Sequence, residues 1–263
     1  MDRLSSSITR PGVGGHTDAV LTRPAGSAES TQVQPVAEAS SARAIARALD
    51  RAGKRALDFT LSSLLLLALL PLLAVVALVV LADSPGPALF GCERVGFRGR
   101  ALRMLKFRKM RDDAAGGPLT TAVDERFTRV GRFLAKYKLD ELPQLWNVVK
   151  GDMSLVGPRP EDRHFVDRYP EDFYGEILAV RPGIIGLSQI AFAEENRILD
   201  GEDPTHDYLE RILPQKIALD RLYVAHRTLW FDVRILFWAS VAVLLRRPIA
   251  VDRSSGAMNL RRR

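Results

Sequence analysis

Two adjacent carboxylates, Asp140 and Glu141, stand at the head of KLDELPQLWNVVKGDMSLVGPRPE, residues 138–161. Leu139, Leu142, Leu145, Trp146 and Val149 recur at helical spacing, while Asp140, Gln144 and Asn147 share another side. The pattern predicts a short amphipathic helix with Pro143, which lacks an N–H, in its first turn and Asp140 at or near the N-cap. A helix N-terminus offers free N–H groups and the positive end of a dipole, which keep a carboxylate ionised and hold phosphate. An aspartate there can attack a phosphoryl group; the plainer reading of the pair is a cap and a first-turn charge. The helix runs into GDMSLVGPRPE, where Arg159 is held between Pro158 and Pro160 on a backbone with little freedom, which suits bidentate phosphate recognition.

Other basic residues are candidates for the same chemistry. Lys106, Arg108, Lys109 and Arg111 form a dense cluster after a segment, Ala88 to Phe107, whose short apolar and basic pieces predict one or two strands. A solvated or lipid-facing patch and a phosphate site both fit that cluster. Arg181 precedes a Pro182-Gly183 corner, read as a tight turn into a strand or short helix, and is a further candidate phosphate contact.

The central block resembles the signature of the bacterial sugar transferases, the monotopic polyprenyl-phosphate phosphoglycosyl transferases. Similar segments in family order are the apolar stretch from Leu57 to Leu81, DSPGPALFGCERVG from Asp83, LKFRKMR from Leu105, FTRVGRFL from Phe127, VRPGIIGLSQI from Val180 and WFDVRIL from Trp230. The resemblance runs from Arg51 to Arg247. Where relatives commonly carry two basic residues, five and four positions before the aspartate, and Ser two before it, this chain has Ala135, Lys136 and Lys138; the two lysines are the candidate substitutes.

With 263 residues there is room for one sizeable domain plus appendages. A net charge of +7 admits nucleic acid or an anionic membrane surface. No nucleic-acid recognition motif is present, and lipid better explains the apolar run, so no nucleic-acid partner is expected. The single cysteine, Cys92, excludes an intramolecular disulfide.

Phe59 to Ala82 is a run of roughly 24 uncharged residues, to be read as a spanning helix, a re-entrant hairpin or, least readily, a core helix. Arg47, Arg51, Lys54 and Arg55 precede it and Arg94, Arg98, Arg100 and Arg103 follow, so both ends carry the basic bias of a cytoplasmic face. Pro71 near its middle favours a bend, and each arm of about 12 residues reaches only about 18 Å, short of a 30 Å hydrocarbon core. The expectation is a hairpin dipping into one leaflet of the bilayer at the cytoplasmic membrane; the resemblance implies the same. Leu70 replaces the serine that commonly precedes this proline, which leaves Ser62 or Ser63 to satisfy the freed backbone.

The expected fold is mixed, mainly α with a small β element. Residues 1–40 read as a disordered tail without a signal peptide, 41–87 as a basic helix and the membrane hairpin, 88–247 as a cytoplasmic-face catalytic domain ending in an interfacial helix, and 248–263 as a basic tail. Glu194, Glu195 and Asp200 read as solvated surface.

The resemblance implies transfer of a sugar 1-phosphate from a UDP-sugar to polyprenyl phosphate as the first membrane step of glycan assembly, with release of UMP. It implies Asp140 as nucleophile, Glu141 in metal binding or proton management, Mg²⁺ held by the pair, and Arg159 with Pro158 and Pro160 at the nucleotide end. A non-catalytic membrane scaffold of a glycan assembly complex is the alternative, allowed by Ala135 and the altered GIIGLSQI.

Overall fold

Charged residues bracket the apolar run, and in three dimensions they tie both of its ends down. The structure, a computed structural model, describes residues 34–111, 124–193, 203–245 and 247–261. The tail before residue 34 and the acidic trio Glu194, Glu195 and Asp200 lie outside the described residues. Helix α1 is Gln34–Asp83 and contains Pro71. It starts inside the stretch read as a disordered tail, and it joins the expected basic helix and both arms of the expected hairpin into one element. A proline removes one hydrogen bond from a helix, and a leucine-rich flank keeps the rest. Ser62 is fully buried, and its hydroxyl has no hydrogen-bond partner among the described residues, so it does not serve the backbone near Pro71.

Much of the apolar surface of α1 stays uncovered: Leu67 is 70% and Leu78 67% exposed. That excludes the core-helix reading, and by length and composition α1 is able to cross a membrane.

Before the apolar run, Lys54 meets Asp232 at 2.5 Å and the Val156 carbonyl at 3.1 Å, and Arg55 donates to the Val148 and Val149 carbonyls. One turn on, buried Asp58 accepts from Ser154 Oγ at 2.8 Å and Leu155 N at 3.0 Å. After the run, Asp83 accepts from Val130 N, and Arg108 donates to the carbonyls of Val80, Ser84 and Pro85. Arg108 thus closes the C-terminal end of α1, where a buried guanidinium satisfies orphan carbonyls. These donors are turned to the end of α1, whereas the sequence offers Arg108 as a substrate contact.

Strands β1 (Leu89–Val95) and β2 (Ala101–Phe107) pair antiparallel, with Leu89 opposite Phe107. Short helices α2 (Arg129–Lys136) and α3 (Gln144–Lys150) follow. Strand β3 (Ser154–Val156) pairs in parallel with β4 (Gly183–Ile185), and α4 (Arg163–Val166) and α5 (Glu171–Leu178) form the crossover. Then come α6 (Leu187–Ala191), α7 (Pro204–Asp207), α8 (Leu213–His226) and α9 (Leu229–Leu245). A last antiparallel pair, β5 (Ile249–Val251) and β6 (Met258–Leu260), replaces the expected basic tail: Ile249 and Met258 are apolar at alternate-face positions and enter the main core.

The main core gathers Met104, Val148, Met153, Leu155, Leu187, Leu219 and Ile235 from β2, α3, β3, α6, α8 and α9. A second cluster joins Val76 and Val80 of α1 to Phe107 and Leu134, with Leu139 packed against it. Helix α9 turns Phe231 and Ile235 inward and leaves Trp230 and Phe237 exposed.

Asp58 is the strongest polar link between α1 and β3. Asp58→Ala leaves the buried Leu155 N–H without its acceptor, while Ser154 Oγ keeps the Val156 carbonyl at 2.9 Å, and is expected to cost about 1 to 3 kcal/mol. Denaturant unfolding in detergent checks this, and an unchanged midpoint would count against the link.

Candidate active site

Asp140 and Glu141 lie in a single 3₁₀ turn, Leu139–Glu141, one step ahead of α3. Pro143, not Asp140, occupies the N-cap position of α3. The expected cap is therefore absent: the rigid proline ends one turn and starts the next, and the aspartate is carried into the protein. Lys138, just before the turn, has φ 57, a left-handed conformation that is costly for a lysine and that directs the chain inward.

Three cations meet the two carboxylates. Lys106 Nζ lies 3.2 Å from Glu141 Oε1, and Arg159 approaches both Glu141 oxygens, at 2.9 and 3.5 Å. Lys109 Nζ is 3.2 Å from Asp140 Oδ2. That last contact lacks hydrogen-bond alignment, and neither Asp140 oxygen accepts a hydrogen bond from a described residue, although Asp140 is only 1% exposed. A buried carboxylate with unused lone pairs is a ligand or a nucleophile in waiting.

Burial pushes the Glu141 carboxyl upward, but the Arg159 and Lys106 charges outweigh it and hold the group well below the usual carboxylate range. Burial also pulls the Lys106 ammonium down to about 8, against the opposing attraction of Glu141.

Each member has a local reason for its position. Asn147 of α3 bonds the β2 edge twice, accepting from Leu105 N at 3.0 Å and donating to the Arg103 carbonyl at 2.9 Å, which sets the 3₁₀ turn over Lys106. Thr128 caps α2 by accepting from Gly131 N, and its own N–H bonds the Lys109 carbonyl. A Cβ on Gly131 would stand 1.9 Å from that carbonyl, so only glycine lets α2 press the Lys109 backbone into place. Arg159 is set by a second close approach, in which a Cβ on Gly183 would fall 2.1 Å from Gly157 N. Gly183 N then donates to the Pro158 carbonyl at 2.8 Å. Beyond Arg159, Glu161 accepts from Tyr208 at 3.0 Å and lies 3.6 Å from buried Lys216, tying the end of the loop to the helical layer.

The structure thus brings together Asp140, Glu141, Lys106 and Arg159. Pro158 and Pro160, on either side of Arg159, are buried and face a small cavity with Val95 and Tyr169. Lys138 is exposed and acts on Glu141 through its charge, whereas exposed Lys136 turns its ammonium toward the Tyr137 ring. Arg181 lies at the opposite end of α3 from Asp140, where it donates to the Gly151 carbonyl, and so stands apart from this group.

Lys109, which the sequence offers only as one member of a basic cluster, is the one that reaches Asp140. Alternation along LKFRKMR pairs Lys106 with Arg108, but β2 ends at Phe107 and the chain turns. Lys109 then joins Lys106, and Arg108 goes to α1. Gln144, four residues after Asp140, is also fully buried, with both amide atoms unpartnered among the described residues. Its one-turn spacing from Asp140 was the available signal.

As for a metal, no cluster of three or more acidic, histidine or cysteine ligands occurs among the described residues. Mg²⁺ needs only one or two carboxylates when phosphates and water complete its shell. The free oxygens of Asp140 fit that role; those of Glu141 fit it once Lys106 or Arg159 has moved to a phosphate.

A family model described as bacterial sugar transferase matches residues 49–246. The chain is 41% identical over 196 residues to the undecaprenyl-phosphate glucose phosphotransferase of Komagataeibacter xylinus, covering 72% of this chain and 35% of that protein. It is 41% identical over 189 residues to a UDP-glucose:undecaprenyl-phosphate glucose-1-phosphate transferase of Caulobacter vibrioides, covering 70% of this chain and 66% of that protein. The transferase of the same description in Escherichia coli is 37% identical over 193 residues, with 39% of its length covered. The chain therefore spans between about a third and two thirds of the length of these relatives. The matched residues take in the apolar run of α1, the acidic turn, the Arg159 loop and α9, and the chain belongs to the bacterial sugar transferase family.

Proposed function

We propose that this protein transfers a sugar 1-phosphate from a UDP-sugar to polyprenyl phosphate, with Asp140 as the covalent nucleophile. The observation that carries the reading is Asp140 itself: buried, its oxygens unspent, beside a glutamate gripped by two cations. The named activities of the relatives supply the substrate classes.

In the proposed reaction, an Asp140 oxygen attacks the β-phosphorus of the donor, and the bond from that phosphorus to the bridging oxygen breaks. UMP leaves with the bond's electrons, and the sugar phosphate stays on Asp140 as an acyl phosphate. An oxygen of polyprenyl phosphate then attacks the same phosphorus, which frees the carboxylate and gives a polyprenyl diphosphate sugar. Lys109 moves from Asp140 to a phosphate oxygen as the donor binds, which uncovers the nucleophile. Lys106 and Arg159 stabilise the phosphate charge, and Glu141 holds both in place until then. Mg²⁺, held by Asp140 and Glu141 with the donor phosphates, would neutralise further negative charge.

The acceptor is a lipid, and the site is built against the apolar helix. Leu139, next to Asp140, packs on the cluster that contains Val76 and Val80 of α1. Both ends of the apolar run of α1 are bonded to the same folded unit, Lys54 and Asp58 at one end and Asp83 at the other. A helix crossing the bilayer separates its ends to opposite faces. We therefore propose that α1 enters one leaflet and returns at Pro71, with exposed Trp230 and Phe237 of α9 resting at the interface on the cytoplasmic side.

Three outcomes are expected. Asp140→Asn abolishes UMP release and capture of a labelled sugar phosphate, and ordinary turnover by that variant would refute the nucleophile. The second concerns pH: Lys106 must be charged to hold phosphate, so kcat/KM for UMP release falls as pH rises through about 8. Folding stability from this group moves the other way, because its proton is held less tightly in the folded state than in the unfolded one, where the pKa is 10.5. A flat kcat/KM from pH 7 to about 9.5, or a loss of activity that tracks unfolding, would remove Lys106 from the role. Third, cysteines introduced as Asp50→Cys or Pro87→Cys in a Cys92→Ser background are expected to react from one side of the membrane. Labelling from opposite sides would replace leaflet insertion with a spanning helix.

A further inference from the structure

At the far end of α3 from Asp140 lies a cleft of about 660 Å³ that the proposed reaction does not use. Its wall is basic: Arg51, Lys54 and Arg55 from α1, Arg98 from the turn after β1, Arg181 before β4, and Arg227 between α8 and α9. The acid among its described lining residues is Asp58, whose oxygens already accept from Ser154 and Leu155.

Lys54 is neutralised by Asp232, whereas Arg55, Arg98 and Arg181 are held in ways that leave their charge in place. Arg55 and Arg181 donate to main-chain carbonyls of Val148, Val149 and Gly151, which occupy N–H groups without supplying a full negative charge. Arg98 and Arg181 both lie against the Phe97 ring, their guanidinium carbons 5.0 and 5.4 Å from its centre. The ring attracts each cation without supplying a full negative charge. Arg98 also has φ 57, a conformation uncommon for a non-glycine residue. Guanidiniums held in this way keep their charge, and guanidiniums favour phosphate.

The location narrows the source of that phosphate. Arg51, Lys54 and Arg55 occupy the last turns of α1 before its apolar run, and Arg227 stands three residues before Trp230, which is 71% exposed. These are the levels at which the chain meets lipid, if α1 enters the bilayer as proposed above. The volume is that of a small-molecule pocket, large enough for a glycerophosphate head. We infer that this cleft is a second anion site, which takes the phosphate headgroup of an anionic phospholipid and seats the domain on the membrane surface.

The test uses the full chain in non-ionic detergent, with calorimetric titration of dioctanoyl phosphatidylglycerol, dioctanoyl phosphatidylcholine and inorganic phosphate. Phosphatidylglycerol is expected to bind at least about tenfold more tightly than the other two, and Arg98→Gln with Arg227→Gln to weaken it about tenfold or more. Equal binding of the zwitterionic lipid, or unchanged affinity in the double variant, overturns the proposal. Inorganic phosphate binding as tightly as phosphatidylglycerol assigns the cleft to a soluble phosphate and overturns the lipid assignment. A salt series on the unaltered protein gives a readout independent of the variant's folding: affinity must fall as ionic strength rises, and salt-insensitive binding refutes a charge-built site. UMP release from a UDP-sugar is measured on the same preparation. Lipid binding without UMP release sinks the Asp140 mechanism and upholds this site, whereas UMP release without selective lipid binding does the reverse.

Discussion

Three cations and two neighbouring carboxylates share a volume to which water has little access, and neither set is tolerable there without the other. Removing Glu141 would leave Lys106 and Arg159 facing each other; removing the cations would leave two buried acids side by side. Replacing such a cluster with well-packed apolar residues generally costs no stability and often adds some. Its presence therefore points to chemistry rather than to folding. The Arg159 and Lys106 charges hold Glu141 ionised against its burial, and burial in turn loosens the proton on Lys106.

The rest of the domain serves to bring that cluster together and to fix its position against the apolar helix. Asn147 couples α3 to β2, the two glycine contacts set Lys109 and Arg159, and Glu161 joins the loop to Tyr208 and Lys216. Helix α1 is held before and after its apolar run by the same folded unit that carries Asp140. In the reaction proposed above, a water-soluble donor and a lipid-borne acceptor meet at one phosphorus atom, and a fixed connection between Asp140 and the apolar helix would answer that requirement.

Much of this was legible in the chain. The paired acids, the Pro-Arg-Pro loop and the basic cluster are local patterns, and each names a chemistry through residue type alone. The small β element and the corner before β4 were readable from glycine and proline punctuation. The failures cluster where a side chain's direction depends on a distant partner. Alternation could not reveal that β2 stops at Phe107 and exchanges Arg108 for Lys109. Composition made the C-terminal segment a basic tail, because Ile249 and Met258 are isolated apolar residues until the core presents a place for them.

By itself the sequence determined which groups are available and what they are able to do: a nucleophilic carboxylate, a clamped arginine, an uncharged run and a positive surface. These follow from residue chemistry and short-range spacing, to which distance in the fold is irrelevant. Tertiary structure decided membership. It placed Arg181 at the other end of α3, gave Arg108 to the end of α1, and closed both flanks of the apolar helix onto one domain. The physical reason is that a guanidinium or ammonium satisfies any suitably placed acceptor, carbonyl or carboxylate, and packing of the whole chain selects which one it reaches.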